Sequence, residues 1–174
     1  SNRFGASVAI SNDTVIVGAD FDGIGTQPNQ GSAYVFVRTG TVWTQQQKLI
    51  AEDGDRDDRF GITVTISGEI AIVGVPADEF GTVLGRGSAY AFRRCGTLWT
   101  QSQKLFLSNG AAGDSFGTSV AFSGDTALVG VPGRDISGIV NQGAAYSVPS
   151  ADLLPTNSPT GAACSTGIEV NINT

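Results

Sequence analysis

The chain has no histidine and no methionine, only two cysteines, and only 15% charged residues among its 174. Without histidine there is no ready base at neutral pH, so serine- or cysteine-based nucleophilic catalysis has no partner in the sequence. Asp and Glu are present, but no spacing singles out a pair for a two-carboxylate hydrolase. The chain therefore reads as non-enzymatic. Ten basic residues stand against 16 acidic ones, a net charge of −6, and that balance excludes the clustered cations with which nucleic-acid binders displace counterions. No apolar run approaches the ~20 residues of a helical membrane span. Cys95 and Cys164 have no metal-binding spacing. They are candidates for one disulfide, within the chain or between chains. The chain opens on Ser1 rather than Met, in the middle of a repeated motif, and so reads as a processed or truncated product.

What is present is glycine, 24 residues of it, in a chain that is 40% hydrophobic, and its placement is periodic. Phe4-Gly5 returns as Phe60-Gly61 and again, after an equal interval, as Phe116-Gly117. Val17-Gly18-Ala19-Asp20 returns as Val73-Gly74-Val75-Pro76 and Val129-Gly130-Val131-Pro132 at the same offset. Gly31-Ser32-Ala33-Tyr34 returns as Gly87-Ser88-Ala89-Tyr90 and Gly143-Ala144-Ala145-Tyr146, and Trp43-Thr44-Gln45 returns once as Trp99-Thr100-Gln101. A fixed period of this length marks a repeat architecture.

Each repeat reads as four short strands joined by tight turns, and no helix is expected. In the first repeat the strands fall at 6–10, 14–19, 32–38 and 42–49. The first repeat turns at Ser11-Asn12-Asp13, and at the equivalent turns Gly68 and Gly124 tolerate the positive φ that hairpins require. A four-stranded antiparallel unit at this period, with Trp in its outer strand, is the blade of a β-propeller. The fold class is thus all-β, with blades at about 1–56, 57–112 and 113–149, the last one lacking its fourth strand. Trp43 and Trp99 are expected to pack at blade edges. Gly18, Gly74 and Gly130 are expected where backbones crowd. Fewer than three full blades cannot close a ring, since propellers use about four or more. Residues 150–166 read as a Pro/Ser/Thr-rich linker, and 167–174 alternate apolar and polar residues as a strand does. That strand, through Ile168, Val170 and Ile172, could fill the missing position of the last blade, add to an open edge of another molecule, or begin a further domain.

The Phe-Gly, Val-Gly-Val-Pro and Gly-Ser-Ala-Tyr elements resemble the FG-GAP repeats of the integrin α-subunit propeller, over residues 1 to about 148. The Trp-Thr-Gln element is similar to a bacterial extracellular subgroup of that family. The resemblance implies propeller blades and an extracellular or cell-surface setting, in adhesion, lectin-like or surface roles. It does not carry the family's calcium loop, because Ser11-Asn12-Asp13, Ser67-Gly68-Glu69 and Ser123-Gly124-Asp125 are too short to wrap a cation needing about 6–8 oxygens.

Two other acidic stretches are calcium candidates: Asp53, Asp55 and Asp57 between the first two blades, and Asp20 with Asp22 in the loop after the second strand. Calcium is the one cofactor left open, beside the simpler reading of solvated turns. The long loops 20–30, 76–86 and 132–142 should emerge on one face, where recognition residues are commonly grafted. Phe21, Asn29, Gln30, Phe80, Asn141 and Gln142 are the contact candidates there, with Phe21 and Phe80 equally able to tuck under their own loops. Asn12-Asp13-Thr14 matches an N-glycosylation acceptor. The preferred function is assembly or adhesion through blades completed between copies, as a homo-oligomer or filament. The alternative is a recognition module whose long loops bind glycan or protein.

Overall fold

The computed structural model describes residues 2–153 and the backbone strand 168–171. It is built from β-strands. The first sheet runs β1 (Ser7–Ser11), β2 (Thr14–Ala19), β3 (Ser32–Thr39) and β4 (Val42–Leu49), paired in chain order and antiparallel. The second repeats it as β5 (Thr63–Ser67), β6 (Ile70–Val75), β7 (Ser88–Cys95) and β8 (Leu98–Phe106). Its register is copied down to a bulge, at Val35/Phe36 in one sheet and Ala91/Phe92 in the other. The third sheet holds β9 (Ser119–Ser123), β10 (Thr126–Val131) and β11 (Ala144–Pro149). Three blades, the last incomplete, are therefore what the repeat builds.

The hairpins form where expected, because Asn12, Gly68 and Gly124 each take positive φ at the first turn position. The blades then stack face to face. Phe60 and Phe116 are fully buried. Phe60 packs edge-on against Phe92 (5.9 Å between ring centres) and beside Tyr90 (5.7 Å). Burial of each such ring is worth about 2–3 kcal/mol. The glycine after each Phe lets the chain turn under the preceding blade: Gly61 has φ +94°, and its carbonyl sits against Gly18, where a Cβ would collide with it. Ser7 Oγ donates to that same carbonyl at 2.9 Å. Crowding at Gly18 and Gly74 is thus between a blade and the Phe-Gly segment of the next one.

Two features differ from expectation at the C-terminal end. The stretch read as linker begins with a 3-10 turn, Ser150–Leu153, whose Leu153 is fully buried in the core around Phe116. The tail strand β12 (Ile168–Asn171) neither fills the third blade nor stands apart. It runs parallel along β8, Ile168 opposite Gln103 and Asn171 opposite Phe106, as a fifth strand of the second blade. The outer edge of β8 offers an unpaired ladder to any extended segment. Ile172 lies outside the described residues. Cys95, at the end of β7, is disulfide-bonded, and Cys164 also lies outside the described residues. No helix among the described residues is long and apolar enough to cross a membrane.

Candidate functional site at the blade junctions

The chemistry of the molecule concentrates where one blade meets the next. The segment leading into each blade is stitched to the long loop of the blade before it: Asp57, Arg59 and Phe60 N–H groups donate to the carbonyls of Pro28, Asn29 and Gln30, and Gly113, Ser115 and Phe116 to those of Leu84, Gly85 and Arg86. Gln30 and Arg86, at equivalent positions, reach from these loops to the carbonyls of Ala51 and Leu107. Above this ladder lies a repeated ionic cluster. In the first blade the Asp22 carboxylate accepts from Ser32 (2.7 Å) and Tyr34 (2.9 Å) and pairs with Lys48 (2.7 Å). In the second, one repeat further on, Asp78 pairs with Lys104 (2.9 Å) and lies 3.4 Å from the Tyr90 hydroxyl. Lys104 also pairs with Asp53 at 2.5 Å, and Tyr90 donates to Asp53 at 2.8 Å. The third repeat has Arg134 and Ala144 in place of Asp and Ser, so the cluster ends there.

Burial alone would raise the Asp53 carboxyl, but hydrogen bonds from Lys104 and Tyr90 outweigh it and hold the group below the usual carboxylate range. Burial acts on Asp22 in the same sense and is likewise outweighed, chiefly by Lys48, so that group is also held low. Asp58 differs. Burial dominates there, the neighbouring Asp78 adds to it, and together they push its pKa up to about 7 despite a hydrogen bond from the Asp55 N–H. Asp53, Asp58, Asp78, Glu79 and Lys104 share the rim of an open cavity of about 610 Å³.

This geometry locates the sequence candidates. Asp53 and Asp22 bind lysines, Asp20 binds Arg59 (2.8 Å) and Arg3 (3.4 Å), Asp57 accepts from Asn29 (2.7 Å), and Asp55 accepts from the Arg56 N–H (2.7 Å). Among the described residues no group of three or more His, Cys, Asp or Glu side chains is arranged to hold a metal ion. Phe21 is flanked by the guanidiniums of Arg3 (5.0 Å) and Arg59 (4.6 Å). Phe80 stacks on Phe106 (4.9 Å) under its own loop, with Arg86 at 4.7 Å. Gln30 is buried, whereas Asn141 and Gln142 are exposed. Asn12 is exposed at its turn, while the Thr14 hydroxyl is buried and accepts from Arg94 (3.1 Å). Sequence reading missed Lys48, Lys104 and Asp58. Aligning the repeats for charge as well as for glycine would have found them.

The Trp-Thr-Gln element has its own place at the junction. The Trp99 N–H donates to Gln47 Oε1 (2.7 Å), Gln47 Nε2 donates back to the Trp99 carbonyl (2.7 Å), and the indole N–H donates to Gln46 Oε1 (3.0 Å). Glutamines of the first blade thereby clamp the buried tryptophan of the second, while Trp43 stays exposed. Gln47→Ala should destabilise the chain by about 1–3 kcal/mol, because two partly buried backbone groups lose their partner. Urea unfolding followed by Trp fluorescence measures it.

Antiparallel sheets stacked face to face, with the Phe-Gly segment of one lying against a glycine of the previous sheet, define a β-propeller-like repeat protein. The FG-GAP repeat family model matches residues 1–36, 43–92 and 99–148, most of the chain, and the chain belongs to that family. A search of curated proteins found no match.

Proposed function

We propose that this FG-GAP chain is a non-enzymatic assembly module, extracellular or on a cell surface, that docks blade face to blade face with further copies of itself. One comparison carries the reading. Phe4, Val8 and Ile10 on the first blade are 58%, 67% and 64% exposed, whereas Phe60, Val64 and Ile66, their equivalents in the second, are 0%, 7% and 6% exposed beneath the first. At the other end, Leu128 is 49% exposed where its equivalent Ile72 is fully covered by the third blade. The chain thus carries both halves of an interface that it already forms twice within itself, and bare apolar faces of this kind mark association surfaces. Because the tail strand lies on its own second blade, docking rests on faces rather than on strand donation. The Cys95 disulfide supports an oxidising setting outside the cytosol.

Sedimentation velocity over a concentration series tests this. The wild-type chain should form head-to-tail species, and Ile10→Lys should weaken association by more than about tenfold by placing a charge in the contact. A wild-type chain that stays monomeric throughout would defeat the proposal. A second reading, recognition of glycan or protein, is favoured at the third long loop, where Ile139, Val140, Asn141 and Gln142 are all exposed. Glycan-array binding lost on changing these residues would support it.

A further inference from the structure

The three repeats place three different pairs at one position of the fold. The lead-in residue is Asn2, Asp58 or Asp114, and its counterpart in the long loop is Asp22, Asp78 or Arg134. In the first repeat the Asn2 amide donates to Asp22 at 2.8 Å. In the third the Arg134 guanidinium donates to Asp114 at 2.9 Å. Asp58 and Asp114 are otherwise held alike, each accepting from a backbone N–H just before it in the chain, that of Asp55 at 2.5 Å and of Ala111 at 2.8 Å. Only the second repeat has a carboxyl at both positions, neither with a donor hydrogen of its own, and both are buried and line the same cavity.

We propose that the lead-in of the second blade is a proton-operated clasp: on acidification Asp58 takes up a proton that supplies the donor hydrogen Asn2 and Arg134 supply in the other repeats, and this tightens the junction of the first and second blades. The lead-in is the segment whose backbone is stitched to the first blade's loop at Pro28, Asn29 and Gln30, so its grip on the second blade's loop couples the two blades. The charged and titratable groups around Asp58 are Asp53, Asp55, Arg56 and Asp57 on its own segment, Asp78 and Glu79 on the second blade's loop, Tyr90 on β7 and Lys104 on β8. Lys104 is already shared between Asp53 and Asp78, which leaves Asp58 without a cation of its own among the described residues. The elevated Asp58 pKa agrees with this geometry.

The sign is fixed by linkage. The folded state holds the proton more tightly than the unfolded chain, so stability is highest below the unfolded carboxyl pKa, falls as pH rises through the folded value, and levels above it. The absence of histidine leaves this window nearly free of other titrations.

Urea unfolding of the full chain from about pH 4.5 to about pH 8.5, for wild type and Asp58→Asn, tests the clasp, since the folded-state titration lies inside that range. The wild-type unfolding constant should rise by up to about tenfold per pH unit towards neutrality and then level, while Asp58→Asn, which restores the amide of the first repeat, should be flat over the same range. Carboxyl-carbon NMR of the wild-type chain reads the same proton without any substitution, and a titration midpoint for Asp58 above about 6 is expected. Equal pH dependence in wild type and variant, or an Asp58 midpoint below about 5, would overturn the proposal. A variant that fails to fold leaves the NMR titration to decide.

Discussion

Lys104→Met should destabilise the chain by about 3 kcal/mol, whereas Lys48→Met, the same change one repeat earlier, should cost no more than about 1 kcal/mol. The two lysines have the same sequence neighbours and the same kind of partner. Lys104 is buried and neutralises both Asp53 and Asp78, and its ammonium also lies 5.2 Å from the centre of the Tyr90 ring. Its removal strands a buried carboxylate. Lys48 is partly exposed and, among the described residues, its ion pair is with Asp22 alone. The difference should depend on pH. Asp53 titrates lower folded than unfolded, so the stabilisation it draws from Lys104 is present above about pH 4 and is lost as pH falls through its lowered pKa. The gap between wild type and Lys104→Met, measured by urea unfolding, should therefore narrow in acid. A cost equal to that of Lys48→Met would show that the burial of the second cluster is not what matters.

Gly18→Ala and Gly74→Ala should each destabilise by about 3 kcal/mol or more, and Gly130→Ala by about 1 kcal/mol. All three glycines end the second strand of a blade at equivalent positions. At Gly18 and Gly74 a Cβ would strike the carbonyl of Gly61 or Gly117, backbone belonging to the next blade's Phe-Gly turn, which cannot swing aside. At Gly130 the nearest atom is the Ser119 hydroxyl, the free end of a side chain that can change rotamer. Thermal unfolding of the three variants checks the order. Equal losses at all three positions would mean that the glycines serve the strand itself rather than blade contact.

The site was less legible than the fold. Asp22 and Asp78 are visible in register, with Arg134 breaking the set, yet their use in ion pairing depends on Lys48 and Lys104, which lie two strands further along the chain, on β4 and β8. The acidic run from Asp53 to Asp58 has the alternation of an oxygen-ligand loop, but its members have different partners: Asp53 has Lys104, Asp57 has Asn29, and Asp58 has the Asp55 N–H. Spacing along a chain gives proximity of residues, not convergence of side chains. Phe21 and Phe80 illustrate the same limit, since only packing showed that each is covered by arginine or aromatic neighbours.

By itself the amino-acid order determined the repeat period, the strands and their hairpins, and the blade as the unit. These follow from local causes: alternation of apolar side chains along an extended backbone, and glycine or asparagine where φ must be positive. Only the tertiary structure decided which equivalent residues are buried, so that Phe60 is core while Phe4 is surface, which lysine is shared by two carboxylates, and that the tail strand joins the second blade. Burial, and the ionic strengths it sets, belong to whatever lies across the junction, and that is chosen by stacking order rather than by neighbours in sequence.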